Sequence, residues 1–264
     1  GTLGFIAEIT YHTVEEHTHK ATALMIFPDI QTACEAVAAL KSQPVAAVEL
    51  MDRASLRSVE SKPGIPPYFK DLPETAAALL VETRALDSTT LNAQVEVITA
   101  GIAAIPTLLP FQFADRPEEF TQLWAIRQGL FPSVGSARAT GTTVIIEDVA
   151  VPVPQLAAMT LDLQELFDKH GYTGSIIFGH ALEGNLHFVI TPDFSKPAET
   201  ERYRNFMDDV CGMIVHRYDG SLKAEHGTGR NIAPFVELEW GQQAYRLMRE
   251  IKALFDPHDL LNPG

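Results

Sequence analysis

One stretch of this chain, Ile177–Val189 (IFGHALEGNLHFV), restricts its possible folds more than any other. Two apolar runs, Ser175–Gly179 and Leu186–Thr191, flank a short turn, and a histidine stands at the turn side of each run. A two-residue turn centred on Glu183–Gly184, with glycine supplying positive φ, makes the segment an antiparallel hairpin. That centring sets Ala181 opposite Leu186 and His180 opposite His187. Directly opposed residues share a face with Cβ atoms about 4.5–5.5 Å apart, close enough for two imidazoles to share one cation.

The rest of the chain supplies the sheet that such a hairpin needs. Residues 21–27, 45–51 and 75–83 read as strands. Helices fall over 28–43 and 88–103, a short helix over 52–60, a proline-rich loop over 61–73, and a further strand over 107–113. The pattern then repeats: a strand over 142–149, a helix over 152–170, the hairpin, a helix over 196–218 and a short strand over 221–224. Each half is β-α-β-β-α-β, the ferredoxin-like unit. The expected class is therefore α+β: two ferredoxin-like halves forming a mostly antiparallel sheet with helices on one face. Arg116–Gly129 reads as a helix between the halves, and residues 233–254 as a closing helix stopped by Asp256-Pro257 and Asn262-Pro263. The weakly alternating Gly1–Thr13 reads as a strand leading in from a preceding domain. The expected division is thus residues 1–14 as a remnant and 15–264 as the domain proper, cut from a longer protein.

Composition narrows the function. Thirty-four acidic against 20 basic residues give a net charge of −14, which argues against nucleic-acid binding. No apolar run approaches the ~20 residues of a membrane span. The two cysteines, Cys34 and Cys211, form no CxxC, so no cysteine metal site or iron–sulfur cluster is encoded here, and buried thiols suit a reducing, cytoplasmic compartment. There is no GxGxxG and hence no nicotinamide site of that kind. The irregularly spaced His12, His17 and His19, and the acidic residues Glu35, Glu49, Asp52 and Glu60, read most simply as solvated.

The chemistry gathers in two places. His180 and His187 on the hairpin, with Glu225 of the segment KAEHGTGR (Lys223–Arg230), form a two-imidazole, one-carboxylate set for a divalent ion such as zinc or manganese. Three protein ligands leave positions open, as catalytic metal sites require. Those positions suit the carboxylate and α-hydroxyl of a 2-hydroxy acid, whose hydroxyl loses its proton more readily when coordinated. The adjacent His226, its side chain expected to point elsewhere, is the candidate base. Arg127, in WAIR on the helix between the halves, is a candidate for a carboxylate clamp, with Arg138 and Lys223 behind it. Two other readings use the same residues. One is a binding module whose histidines merely brace the hairpin, and the other a metal-dependent hydrolase.

The motifs GTLGFIAEIT, GHALEGNLHF, KAEHGTGR and MREIKALFDPHDLLNPG, in that order, resemble the C-terminal substrate domain of FAD-linked oxidases. The likeness falls in the branch of the vanillyl-alcohol oxidase superfamily that includes D-lactate, glycolate and D-2-hydroxyglutarate dehydrogenases. The resemblance implies metal ligands His180, His187 and Glu225, base His226, and substrate contacts at Arg127 and Asn185. It also implies flavin contacts from Gly1, Ile6 and Asn262, with FAD held mostly by a preceding domain and an iron–sulfur electron acceptor elsewhere in the parent chain. The activity implied is oxidation of a D-2-hydroxy acid to the 2-oxo acid. Two positions depart from the hydroxyglutarate pattern. Ile146 stands where a lysine is common before the DxxxP of Asp148–Pro152, and Val189 stands where an asparagine is frequent.

Overall fold

The computed structural model describes residues 1–263, so Gly264, the last of the closing LNPG, lies outside the described residues. The chain divides into two compact units: His17–His226, and Gly1–Glu16 together with the segment from Gly227 onward.

The larger unit carries a six-stranded sheet. Its strands are β1 (His19–Phe27), β2 (Ala47–Met51), β3 (Ala77–Ala85), β4 (Ile145–Ala150), β5 (Ile176–His180) and β6 (Asn185–Ile190). They run in the order β1-β3-β2-β5-β6-β4, with every pairing antiparallel. The order is symmetric: each half contributes its first strand outermost, its third in the middle and its second at the centre. The halves join where β2 meets β5.

The fourth strand of each ferredoxin-like unit is reduced to a single bridge. In place of the expected strand over 107–113, one backbone bond runs from Leu108 to Ile26 and one bridge joins Ala114 to Thr22. Pro106 and Pro110 have no N–H with which to extend a ladder. In place of 221–224, Ser221 alone bridges Ala150.

Helices cover both faces of the sheet, not one. In the first half, α1 (Ile30–Leu40), α2 (Arg53–Val59) and α3 (Ser88–Gly101) each begin on an aspartate. Asp29, Asp52 and Asp87 accept bonds from Thr32, Ser55 and Thr90 N–H groups at 2.7–2.8 Å, satisfying donors that a first turn leaves open. In the second half, α6 (Leu156–His170) and α7 (Pro197–Gly212) stack Phe167 and Phe206 over Phe188 of β6. The opposite face carries α2, α4 (Pro117–Gln128) and α5 (Leu130–Ala137). Their Leu56, Val59, Ile126 and Leu130 pack on Met51, Leu80, Phe178 and Val189. The helix expected over 196–218 ends its α-helical part at Gly212 and closes in a π turn over Met213–Arg217.

The smaller unit holds α8 (Gly229–Ile232) and α9 (Val236–Phe255), the latter broken at Gly241. Gly1–Thr13 forms no strand. It carries exposed Phe5, Ile6, Ile9 and Tyr11, and among the described residues no strand pairs with it.

Candidate metal centre

The hairpin forms with a register two residues from the expected one. Phe178, not His180, is paired with His187. The reason lies in the turn: Ala181–Glu183 make a 3₁₀ turn and Gly184 closes it at φ 66°, a longer loop than the two-residue turn. A Cβ at Gly184 would also lie 1.9 Å from the Val151 carbonyl oxygen, and one at Gly179 would lie 2.5 Å from that of Asn185. Neither position has room for a side chain. A two-residue slip preserves the face, because side chains alternate with period two. His180 and His187 therefore still meet, their ring centroids 5.3 Å apart and nearly perpendicular.

Cross-strand pairing assembles the rest. Along one face, Glu49 of β2 opposes His180, His187 opposes Phe178, and Asp148 of β4 opposes His187. The segment after the Ala150–Ser221 bridge brings in Glu225 and His226. Asp148 Oδ2 accepts the backbone N–H groups of both, at 2.6 and 3.2 Å, which pins that segment beside the histidines.

The outcome is a cluster around one oxygen. Glu225 Oε1 lies 3.2 Å from His180 Nε2, 3.2 Å from His187 Nε2 and 3.9 Å from His226 Nε2. Donor atoms of Asp148, His187, Glu225 and His226 all lie within 4.8 Å of one another. His226 does not point away as expected. It stacks on His187 at 4.8 Å and 13°, with Nδ1 3.8 Å from Asp148 Oδ1. Asp148 was not among the expected ligands. It is 1% exposed, and its Oδ1 has no hydrogen-bond partner among the described residues.

The donor chemistry fits a divalent cation. Burial, helped by the nearby charges of His226 and Arg127, pushes His187 down to about 4. Its ring is therefore neutral at physiological pH and keeps a lone pair for a metal. Two carboxylates, Glu225 and Asp148, supply negative charge beside it.

Glu49 is the second residue the sequence reading misplaced. It is 4% exposed and engaged at both oxygens, Oε1 with His180 Nδ1 at 2.5 Å and Oε2 with Arg127 Nε at 2.7 Å. Burial pulls its carboxyl up, but the bonds and charges of His180 and Arg127 outweigh that and hold it below the usual range. The hydrogen bond to Glu49 in turn raises His180. Asp52 and Glu60 are not simply solvated either: Asp52 is buried as the α2 cap and Glu60 pairs with the buried Arg53. Only Glu35 of that acidic set is exposed, bonded to Gln31.

Arg127 lies over the Phe178 ring, its Cζ 4.3 Å from the centroid. On the same helix, Trp124 Nε1 donates to the buried Glu82 of β3 at 2.5 Å. The two polar residues of WxxR thus each meet a buried carboxylate on the sheet. Asn185 is buried at the start of β6, on the face of His187, and its Oδ1 has no partner among the described residues. In the smaller unit, Asn262 Nδ2 lies 3.2 Å from Thr2 Oγ1, and Lys252 Nζ bonds the Gly1 carbonyl at 2.9 Å. Gly1 and Asn262 are therefore neighbours, whereas Ile6 is 71% exposed.

Residues 16–264 match the family described as FAD linked oxidases, C-terminal domain, and the chain belongs to that family. Over its whole length the chain is 32% identical to the mitochondrial D-lactate dehydrogenase [cytochrome] of Arabidopsis thaliana, covering 45% of that protein. It is 29% identical to a glycolate oxidase subunit of Bacillus subtilis, covering 54% of it. Over 70% of its length it is 28% identical to the D-2-hydroxyglutarate dehydrogenase of Pantoea ananatis, covering 18% of it. The chain thus spans about half or less of the curated relatives it matches. Among solved structures, 4-ethylphenol oxidase from Gulosibacter chungangensis shares the fold, with a TM-score of 0.64 at 14% identity, over 93% of this chain and 53% of that one. Among the described residues no helix is long and apolar enough to cross a membrane.

Proposed function

We propose that the chain is the substrate- and metal-binding part of a flavin-dependent dehydrogenase that oxidises a D-2-hydroxy acid to the 2-oxo acid. The observation that carries this reading is that Glu225 Oε1 lies 3.2 Å from both His180 Nε2 and His187 Nε2 and 3.9 Å from His226 Nε2, although the donors that lie mutually within 4.8 Å are those of Asp148, His187, Glu225 and His226, without His180. The names of the curated relatives support the substrate class, and the family description supports FAD.

His180 Nε2, His187 Nε2 and Glu225 would hold the divalent ion, zinc or manganese, with Asp148 close behind. When bound, such an ion lowers the pKa of an attached hydroxyl and fixes its oxygen. Arg127, committed to Glu49 through Nε, keeps its Nη edge for the substrate carboxylate, which a guanidinium binds bidentately. His226 takes the hydroxyl proton at Nε2, a transfer for which general bases contribute about 10²–10⁴-fold. Loss of that proton makes C2 a better hydride donor, and FAD, when bound, would supply the hydride acceptor. Asn185, on the same sheet face as His187, is the proposed further substrate contact. Gly1, Ile6 and Asn262 are the proposed edge of the flavin site. The proposed division keeps residues 1–14 with the flavin-binding part. An iron–sulfur acceptor draws no ligands from this chain, whose cysteines are buried singly on α1 and α7.

The test uses the full-length protein: metal content, then flavin reduction without added acceptor on mixing with D-lactate, glycolate or D-2-hydroxyglutarate. One of these acids bleaches the flavin of the wild type. His226→Ala keeps the metal and loses the bleaching. The 264-residue chain given FAD and the same acids does not turn over. Absence of stoichiometric metal, with unchanged bleaching in His187→Ala, would contradict the reading and favour histidines that only brace the hairpin.

A further inference from the structure

We propose that Glu49 is a positioning residue that sets both the metal-facing edge of His180 and the substrate-facing edge of Arg127. The proposal rests on the metal reading above and adds to it a residue from the other half of the repeat.

The argument begins with placement. Glu49 lies on β2, and its strand register puts it directly opposite His180 across the seam between the halves. A carboxylate buried to this degree is costly unless both oxygens find charged or donor partners. Here they do, and the partners are two functional groups. Oε1 meets His180 Nδ1 at 2.5 Å and Oε2 meets Arg127 Nε at 2.7 Å.

Each contact decides an orientation. With Glu49 holding a proton on Nδ1, Nε2 is the nitrogen left to give up its proton and meet a cation beside Glu225, 3.2 Å away. Imidazole ligands are usually fixed in this way by a carboxylate on the far ring nitrogen. On the other side, a guanidinium bound through Nε and laid over Phe178 at 4.3 Å has its plane determined and its two Nη groups left over. One side chain thus couples the tautomer of a ligand to the aim of a clamp.

The amide variant has a defined consequence. In Glu49→Gln the side-chain oxygen goes to the charged Arg127, the stronger donor. The NH₂ then faces His180 Nδ1, which must accept, and the ring proton moves to Nε2, where it blocks the metal. In the full-length protein, zinc affinity measured by competition with a chelator should fall about 10- to 100-fold, while the KM for the hydroxy acid changes by a smaller factor. Glu49→Asp keeps the charge but is one methylene shorter, so it cannot span both partners.

Should Glu49→Gln fail to fold, the wild type itself supplies the answer. The ¹⁵N shifts of the metal-free protein at alkaline pH should show His180 protonated on Nδ1; a ring protonated on Nε2 overturns the proposal. Wild type that binds zinc, His187→Ala that loses it, and Glu49→Gln that binds as tightly as wild type would overturn the Glu49 proposal alone. Wild type that binds no zinc would overturn the metal reading and this proposal with it.

Discussion

The two halves of the sheet share one topology and use one face differently. In the first half that face carries Leu24, Leu80, Met51 and two buried carboxylates, Glu49 and Glu82, and its covering includes α4 held down through Trp124 and Arg127. In the second half the corresponding face carries Asp148, His180 and His187, and Glu225 and His226 are exposed beside it. A repeated fold therefore supplies a braced wall from one copy and a reactive wall from the other. Glu49 crosses the seam between them. The comparison teaches that the histidine cluster is bonded across the seam, through Glu49 and His180, to the braced wall.

The comparison breaks most directly at the reactive wall. His187→Ala removes a neutral imidazole from the centre of the cluster. In the full-length protein it should abolish metal binding and lower kcat by roughly 10³-fold or more, since the base and the hydride step both depend on a correctly placed hydroxyl. Metal analysis and stopped-flow flavin reduction check it. Full metal occupancy in the variant would remove His187 from the ligand set.

A smaller effect, of another kind, belongs to the braced wall. Glu82→Ala leaves Trp124 Nε1 and the Thr22 hydroxyl without the carboxylate both now reach. The cost should be about 2–3 kcal/mol, read as a lowered denaturant midpoint, with metal content unchanged. Loss of metal in Glu82→Ala would show that the two walls are not separable.

Specificity sharpens the contrast further. Ile146 lies two residues before Asp148 on the same strand face, paired with Val189, so the sheet beside the cluster is apolar there. Ile146→Lys should raise kcat/KM for D-2-hydroxyglutarate relative to D-lactate by about tenfold, the worth of one new charged hydrogen bond near a part-buried site. Steady-state kinetics on both acids decides it.

The smallest effect is one of pH. Burial raises the carboxyl of Asp52, the cap of α2, above its ordinary value of 3.8. The folded state then holds that proton to higher pH than the unfolded chain does. This contribution to stability is complete below about 3.8 and is lost as pH rises through the higher folded value. Asp52→Asn keeps a capping oxygen and should flatten this part of the stability–pH curve measured by urea unfolding. An unchanged slope would mean Asp52 does not titrate in that range.

Much of this was legible in the chain because local signals carried it. The hairpin could be read from two apolar runs flanking Gly184, the helices from their caps and apolar spacing, and the meeting of His180 and His187 from their places on the hairpin. What was not legible depends on pairing between distant segments. Glu49 reads as one more acid until β2 lies against β5. Asp148 reads as a strand-end residue until β4 puts it opposite His187. The lost strands over 107–113 and 221–224 show a related limit. Apolar residues propose a strand, but a ladder also needs N–H donors in register and a free edge to meet them.

The measurement that bears most directly on the central claim is anomalous diffraction at the zinc edge from crystals of the full-length protein grown with zinc. The account predicts one strong peak within about 2.0–2.2 Å of His180 Nε2, His187 Nε2 and a Glu225 oxygen. A map with no peak there, or with zinc bound only elsewhere on the protein, would contradict it.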